Sequence, residues 1–160
     1  MKRLIRLILA GVLLCPAIGF MASCSEEADC SMNERAMTNC GIYTIDADGF
    51  IANDTLDSLT VTAFGTDSII VNNQKDVNDL TLPLRYTVDS TTLVFRYSRY
   101  TTDTLVIHHT NTPYFLSMDC GYQMQQRITS VTHTTHRLDS IYITNNEAGI
   151  YGQENIQLFY

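Results

Sequence analysis

The stretch TLVFRYSRYTTDTLVIHHT, residues 92–110, decides the fold. Its two halves, TLVFRYS (92–98) and TLVIHHT (104–110), are rich in Thr, Val, Ile and Tyr and repeat with a period of two. That is the pattern of strands with one buried face. Successive side chains of a strand point to opposite faces. Leu93, Phe95 and Tyr97 therefore share one face, with Val94, Arg96 and Ser98 on the other. In the second run Leu105, Ile107 and His109 share a face. Two such strands separated by a short polar turn predict one wall of an antiparallel sheet.

Outward from this pair the same signature recurs. GIYTI (41–45) runs into DADG (46–49), a hairpin-type turn. SLTVTAF (58–64), SIIVN (68–72), YFLSMDC (114–120), RITSVTH (127–133), SIYITN (140–145) and NIQLFY (155–160) complete the set. Ile141 and Ile143 share a face. Pro83 and Pro113 are expected near strand starts, where a missing donor is harmless. No segment sustains helical periodicity; GYQMQQR (121–127) allows at most one turn. The expected fold is all-β, an antiparallel β-sandwich of immunoglobulin-like or similar two-sheet architecture, spanning residues 40–160. Two sheets about 10 Å apart enclose an adequate core at this length without a cofactor.

Residues 1–23 read as an export signal. Lys2, Arg3 and Arg6 precede an apolar run, Leu7 to Leu14, and the small residues Ala22 and Ser23 follow. Gly11, Pro16 and Gly19 interrupt the apolar stretch, which is too short for a span of about 20 residues. Cleavage removes three of the ten Lys and Arg and none of the 17 acids, leaving seven bases against 17 acids. That surface has no basic stripe to displace counterions, which excludes nucleic acid as a partner. Membrane attachment, if it occurs, must then be covalent rather than electrostatic.

MASC (21–24) resembles the lipobox of bacterial lipoproteins, although Met21 stands where Leu is usual and Ser23 where Gly or Ala is commoner. The resemblance implies that Cys24 is the first mature residue, its sulfur carrying a diacylglycerol thioether and its anchor completed by further acyl chains such as palmitate. Two or three chains hold a protein durably where one does not. The following SEEAD (25–29) resembles the surface-export signal of Bacteroidota lipoproteins; as plain chemistry it is a solvated tether. Residues 24–39 are thus expected to be an acidic tether and N-terminal segment. The expected location is the outer membrane, on the cell surface or the periplasmic face.

Of the remaining cysteines, Cys30, Cys40 and Cys120 allow one disulfide and one free thiol outside the cytoplasm. Spacing leaves the partner of Cys120 open, and no pair has the CxxC spacing of a zinc site. A second recurring feature is Asp, then Ser or Thr, at strand starts. The hydroxyl residues are Thr55, Ser58, Ser68, Ser90, Thr104 and Ser140. An Asp there can close an Asx-turn. The triplet also resembles the O-glycosylation acceptor of exported Bacteroidota proteins, which implies that one or more of the six carries glycan.

Chemistry-bearing clusters are sparse. His108 and His109 are strand neighbours and diverge; His133 and His136 converge only in a tight turn. These four are the weak metal candidates, and none falls in a ligand motif. There is no GxSxG elbow, and a Cys120–His pair would need a free thiol. Tyr86, Tyr97, Tyr100, Tyr114, Tyr122, Tyr142 and Tyr151 offer rings for a glycan platform, although most sandwich tyrosines bury the ring.

Cys30, the run Thr104-Leu105 through His109-Thr110 to Phe115-Leu116-Ser117, Cys120-Gly121, Asp139-Ser140-Ile141 and Glu154-Asn155-Ile156 together resemble a family of small Bacteroidota lipoproteins known only as a domain of unknown function. The resemblance implies a Cys30–Cys120 bridge with Cys40 as the extra thiol, and it implies no catalytic residue. The expectation is a noncatalytic envelope lipoprotein without cofactor, binding or scaffolding a protein or glycan partner. The competing readings are a metal-binding or hydrolytic enzyme using the histidine set, and a carbohydrate-binding surface module.

Overall fold

The computed structural model describes residues 36–66, 68–118, 120–149 and 152–160. Cys24, Cys30, Tyr151 and the expected leader lie outside the described residues. Two sheets pack face to face as a β-sandwich, with no helix among the described residues. One sheet runs β2 (Ile51–Asn53), β1 (Met37–Ile45), β11 (Glu154–Phe159) and β9 (Ser140–Ile143), with β5 (Asp79–Pro83) also paired to β1. The other runs β10 (Glu147–Ala148), β8 (Gly121–His133), β7 (Thr102–Ser117), β6 (Ser90–Arg96), β3 (Leu56–Ala63) and β4 (Ile69–Val77). The described pairings are antiparallel except β1 with β11, which is parallel.

The alternation of 92–110 sets the core. Leu93, Phe95, Leu105 and Ile107 are wholly buried, joined by Leu59, Val61 and Ile128 from the same sheet. Against them lie Cys40, Ile42, Leu80, Leu82, Ile156 and Leu158 of the β1-centred sheet. Each fully buried side chain of this size contributes about 1.5–3 kcal/mol relative to exposure. The DADG turn forms as expected: Asp46 Oδ1 accepts from the N–H groups of Asp48 at 3.0 Å and Phe50 at 2.8 Å.

Several expectations are corrected. TLVIHHT and the YFLS of YFLSMDC are not two strands but parts of the 16-residue β7, which ends at Ser117. The 121–127 segment is no helical turn; it opens the 13-residue β8, because Gln123 to Arg127 pair in register with Tyr114 to Thr110. Ladder bonds along that ribbon outweigh the weak local preference of a Gln-rich run. Pro83 ends β5 and Pro113 lies inside β7. The latter is tolerated because β6 pairs with β7 only as far as His108, so one edge of β7 is open at Pro113. β1 starts at Met37, slightly ahead of the expected boundary at residue 40.

Candidate functional site

Beyond His108, β7 has lost β6 and pairs with β8 alone; the short β10 joins β8 at Gln126 and Arg127, and past that point β7 and β8 project as a two-stranded ribbon. Its turn closes at Ser117–Gly121, where the Cys120 N–H donates to Ser117 Oγ at 3.0 Å and Gly121 adopts a φ of 67° that favours glycine. At the base of the ribbon lies a cleft of about 430 Å³, within the ordinary range for small-ligand sites. Tyr114, Gln123 and Gln125 from β7 and β8 line one side, Asn145, Glu147 and Gln153 from β10 and the segments on either side of it line the other, and Ala36 also lines the cleft. The Tyr114 hydroxyl donates to Gln123 Oε1 at 3.1 Å. Across the cleft Asn145 Nδ2 donates to Gln153 Oε1 at 3.2 Å.

Asn155 fixes the far wall. Its fully buried amide donates to the carbonyls of Asn145 at 3.0 Å and Glu147 at 2.8 Å, while its Oδ1 accepts the Asn39 N–H at 3.0 Å. One side chain thus ties β1 to the segment that carries Asn145 and Glu147. Arg127 pairs with Glu147 at 3.1 Å on the exposed side, a contact of small energetic weight.

The histidines do not form a centre. His108 faces solvent, and His109 is buried with Nε2 2.9 Å from the Thr91 hydroxyl. Burial holds the His109 pKa below its ordinary value, against the opposing pull of Asn111 and Asp89. His133 Nε2 lies 3.4 Å from the Asp139 carbonyl, and His136 Nδ1 lies 3.1 Å from Asp103 Oδ1. Among the described residues no three His, Cys, Asp or Glu side chains gather so as to hold a metal ion.

Asp103 is a fully buried carboxylate. Its carboxylate is 1% exposed and binds the loop after β8: Oδ1 accepts from the Thr134 hydroxyl at 2.7 Å and the His136 N–H at 2.8 Å. Oδ2 accepts from the N–H groups of Arg137 at 2.9 Å and Leu138 at 3.0 Å. Burial alone would raise its pKa, but these donors outweigh burial and hold it well below the usual carboxylate range.

Residues 58–160 match a family of unknown function, DUF6452. The chain belongs to this family. No curated protein and no solved structure matches it. The DUF6452 match begins inside β3, so it contains the ribbon, the Asp103 clamp and every cleft residue named above except Ala36. β1 and β2 precede it, although β1 is central to its sheet.

The cysteines of this DUF6452 chain separate cleanly. Cys40, the alternative partner for Cys120, is free and fully buried in the core, which corrects that expectation. Burial, then the charge of Glu154, push its thiol far above the ordinary value, so it is an inert core residue. Cys120 is disulfide-bonded. Of the hydroxyl residues, Thr55, Ser68 and Ser140 are exposed, whereas Ser58, Ser90 and Thr104 are half-buried. Tyr97 is buried against Tyr160, their hydroxyls 3.2 Å apart, and leaves the glycan-platform set. Tyr86, Tyr100, Tyr114, Tyr122 and Tyr142 are exposed.

The cleft amides escape a reading of the sequence alone. Gln123, Gln125 and Gln126 stand out as a cluster of amides, but only the pairing of β7 with β8 places the first two beside Tyr114.

Proposed function

We propose that this protein is a noncatalytic binding lipoprotein of the bacterial cell envelope, of Bacteroidota type, held at the outer membrane by acylated Cys24. The observation that carries the binding role is the cleft of about 430 Å³ walled by Tyr114, Gln123, Gln125, Asn145, Glu147 and Gln153. Neutral amides offer both donors and acceptors, and a half-exposed phenol ring offers an apolar face beside them. That combination suits a hydroxyl-rich neutral ligand, a glycan above all. Ala36, the first described residue, also lines the cleft, which supports a binding face close to residue 36.

Cys30 is the partner proposed for Cys120. Cys40 is free and buried, and Cys24 is assigned to lipid in this reading. Among the acceptor triplets, Thr55, Ser68 and Ser140 are the accessible sites for glycan attachment. The histidines support no shared catalytic role, since each engages a separate partner or faces solvent.

Two measurements test the proposal. Alkynyl-palmitate labelling is expected to mark the wild-type chain and not Cys24→Ser. A glycan array is expected to give hits that Tyr114→Ala weakens about tenfold, the loss of roughly 1.4 kcal/mol of stacking and hydrogen bonding, with an unchanged melting temperature. Array hits indifferent to Tyr114→Ala, or none among neutral glycans, would remove the cleft from the function.

A further inference from the structure

The tip of the β7–β8 ribbon exposes three large apolar side chains. Phe115 is 52% exposed, Tyr122 74% and Met118 89%. Phe115 and Tyr122 face each other across the ladder, edge to face with centroids 5.5 Å apart. By strand alternation they continue the face that carries Ile107, Ile128 and Gln126 inside the sandwich. Past the sandwich end that face has no cover among the described residues. Contiguous exposed apolar surface of this kind marks an interaction site.

The course of the chain argues for the occupant. Ala36, the first described residue, shares the cleft with Tyr114 and Gln123, so it lies at the same end of the sandwich as the tip. Cys24 lies 12 residues before Ala36, and extended chain reaches at most about 3.5 Å per residue, or roughly 40 Å. A Cys30–Cys120 bridge shortens this reach. The acylated cysteine then lies six positions from the bridged Cys30, a span of roughly 20 Å. The segment 25–35 (SEEADCSMNER) is too acidic and polar to cover the rings itself. Within YFLSMDCGY (114–122) the sole charge is Asp119, and the rest is the mixture of Tyr, Phe, Leu and Met that suits the headgroup–acyl boundary.

We propose that the ribbon tip is a second, noncovalent membrane contact: Phe115, Met118 and Tyr122 seat in the interface of the bilayer that holds Cys24. This rests on the lipoprotein reading above. The contact fixes the orientation of the sandwich, with β7 standing up from the membrane and the cleft near the headgroups. Its ligands then reach the cleft from membrane-proximal space.

The chain contains no Trp, so one engineered indole reports cleanly. Full-length lipidated Met118→Trp is reconstituted in phosphatidylcholine–phosphatidylethanolamine vesicles containing brominated acyl chains. Emission is expected to shift to the blue and fall by about twofold, as for a side chain some 5–10 Å into the interface. Tyr100→Trp, at the opposite end of β7 and 87% exposed in the wild type, is expected to stay unquenched. Adding Phe115→Ser and Tyr122→Ser to Met118→Trp is expected to relieve the quenching while the melting transition persists. Failure of the protein to float with vesicles overturns the anchor and the tip contact together. Flotation of Met118→Trp with its indole unquenched overturns the tip contact alone. So does a blue shift that depends on protein concentration without lipid, which assigns the tip to a second copy, or one that persists in dilute detergent-free monomer, which assigns it to the chain's own N-terminal segment.

Discussion

Asp103 shows what a single side chain can do when its partners are distant in sequence. It sits in an Asp-Thr-Leu triplet like that at Asp54, where the carboxylate accepts the N–H of the next residue, Thr55, at 2.7 Å. Asp103 reaches instead to residues 134–138, some 31 to 35 positions away. Replacing it with Asn leaves donors of that loop facing an amide that cannot accept them all. Asp103→Asn is expected to destabilise by about 2 kcal/mol at pH 7, measured by urea unfolding. The pH dependence has a definite sign. The folded-state pKa lies below the unfolded one, so the contribution is complete above the ordinary value of 3.8 and drains away as pH falls below it. The gap between wild type and Asp103→Asn is therefore expected to narrow between about pH 5 and pH 2, on the scale of the carboxylate's own titration. A gap that is constant over this range would show that the charge is irrelevant. Local sequence carries no trace of this role, because the turn motif is identical at both sites and only tertiary folding chooses between them.

Among the elements, strands with strict alternation are legible in the sequence and those defined by a partner are not. The face assignments of 92–98 and 104–110 hold residue for residue: Leu93, Phe95, Tyr97, Leu105, Ile107 and His109 are all buried. β5 escapes notice although DLTLP (79–83) alternates, exposed at Asp79 and Thr81 and buried at Leu80 and Leu82. Its brevity and its Pro disguise it. The parallel pairing of β1 with β11 is beyond local reading, since it joins the two ends of the domain. Gly41 records that pairing. A Cβ there would overlap the Glu154 carboxylate and the Tyr43 ring, whose hydroxyl donates to Glu154 Oε2 at 2.7 Å. Gly41→Ala is expected to cost about 1–3 kcal/mol by forcing those side chains aside. In a Glu154→Ala background the cost is expected to shrink by about 1 kcal/mol, as for residues in contact. Additive losses in that double-mutant cycle would refute the close approach of β1 to β11.

At the scale of the molecule, the all-β class and the two-sheet packing follow from periodicity, whereas the cleft does not, because its walls come from β7, β8, β10 and the residues before β11. The same dispersal makes the ribbon depend on the rest of the chain. Past His108 its two strands pair with each other, and among the described residues the short β10 ladder at Gln126 and Arg127 is the one strand added to them. Its position relative to the sandwich is therefore set by Asn155, by β10, by the carbonyls of Arg85, Val88 and Asp89 that accept from Gln126, Asn111 and His109, and by whatever holds Cys120. A Cys30–Cys120 bridge closes a loop of about 90 residues, and in the chain-entropy view such a loop stabilises by roughly 4 kcal/mol. Reductant is therefore expected to lower the melting temperature by about 10 °C. Cys120→Ser is expected to reproduce the shift and to abolish any further effect of reductant. Cys40→Ser is expected to leave the response to reductant intact, since that thiol is free and buried. Native protein is likewise expected to react with a thiol reagent only after unfolding, releasing the single Cys40 thiol under nonreducing conditions. A melting temperature indifferent to reductant would mean that the bridge adds nothing to the sandwich, and that the tip is positioned by Asn155, the β8–β10 pairing and the bonds from Gln126, Asn111 and His109 to residues 85–89.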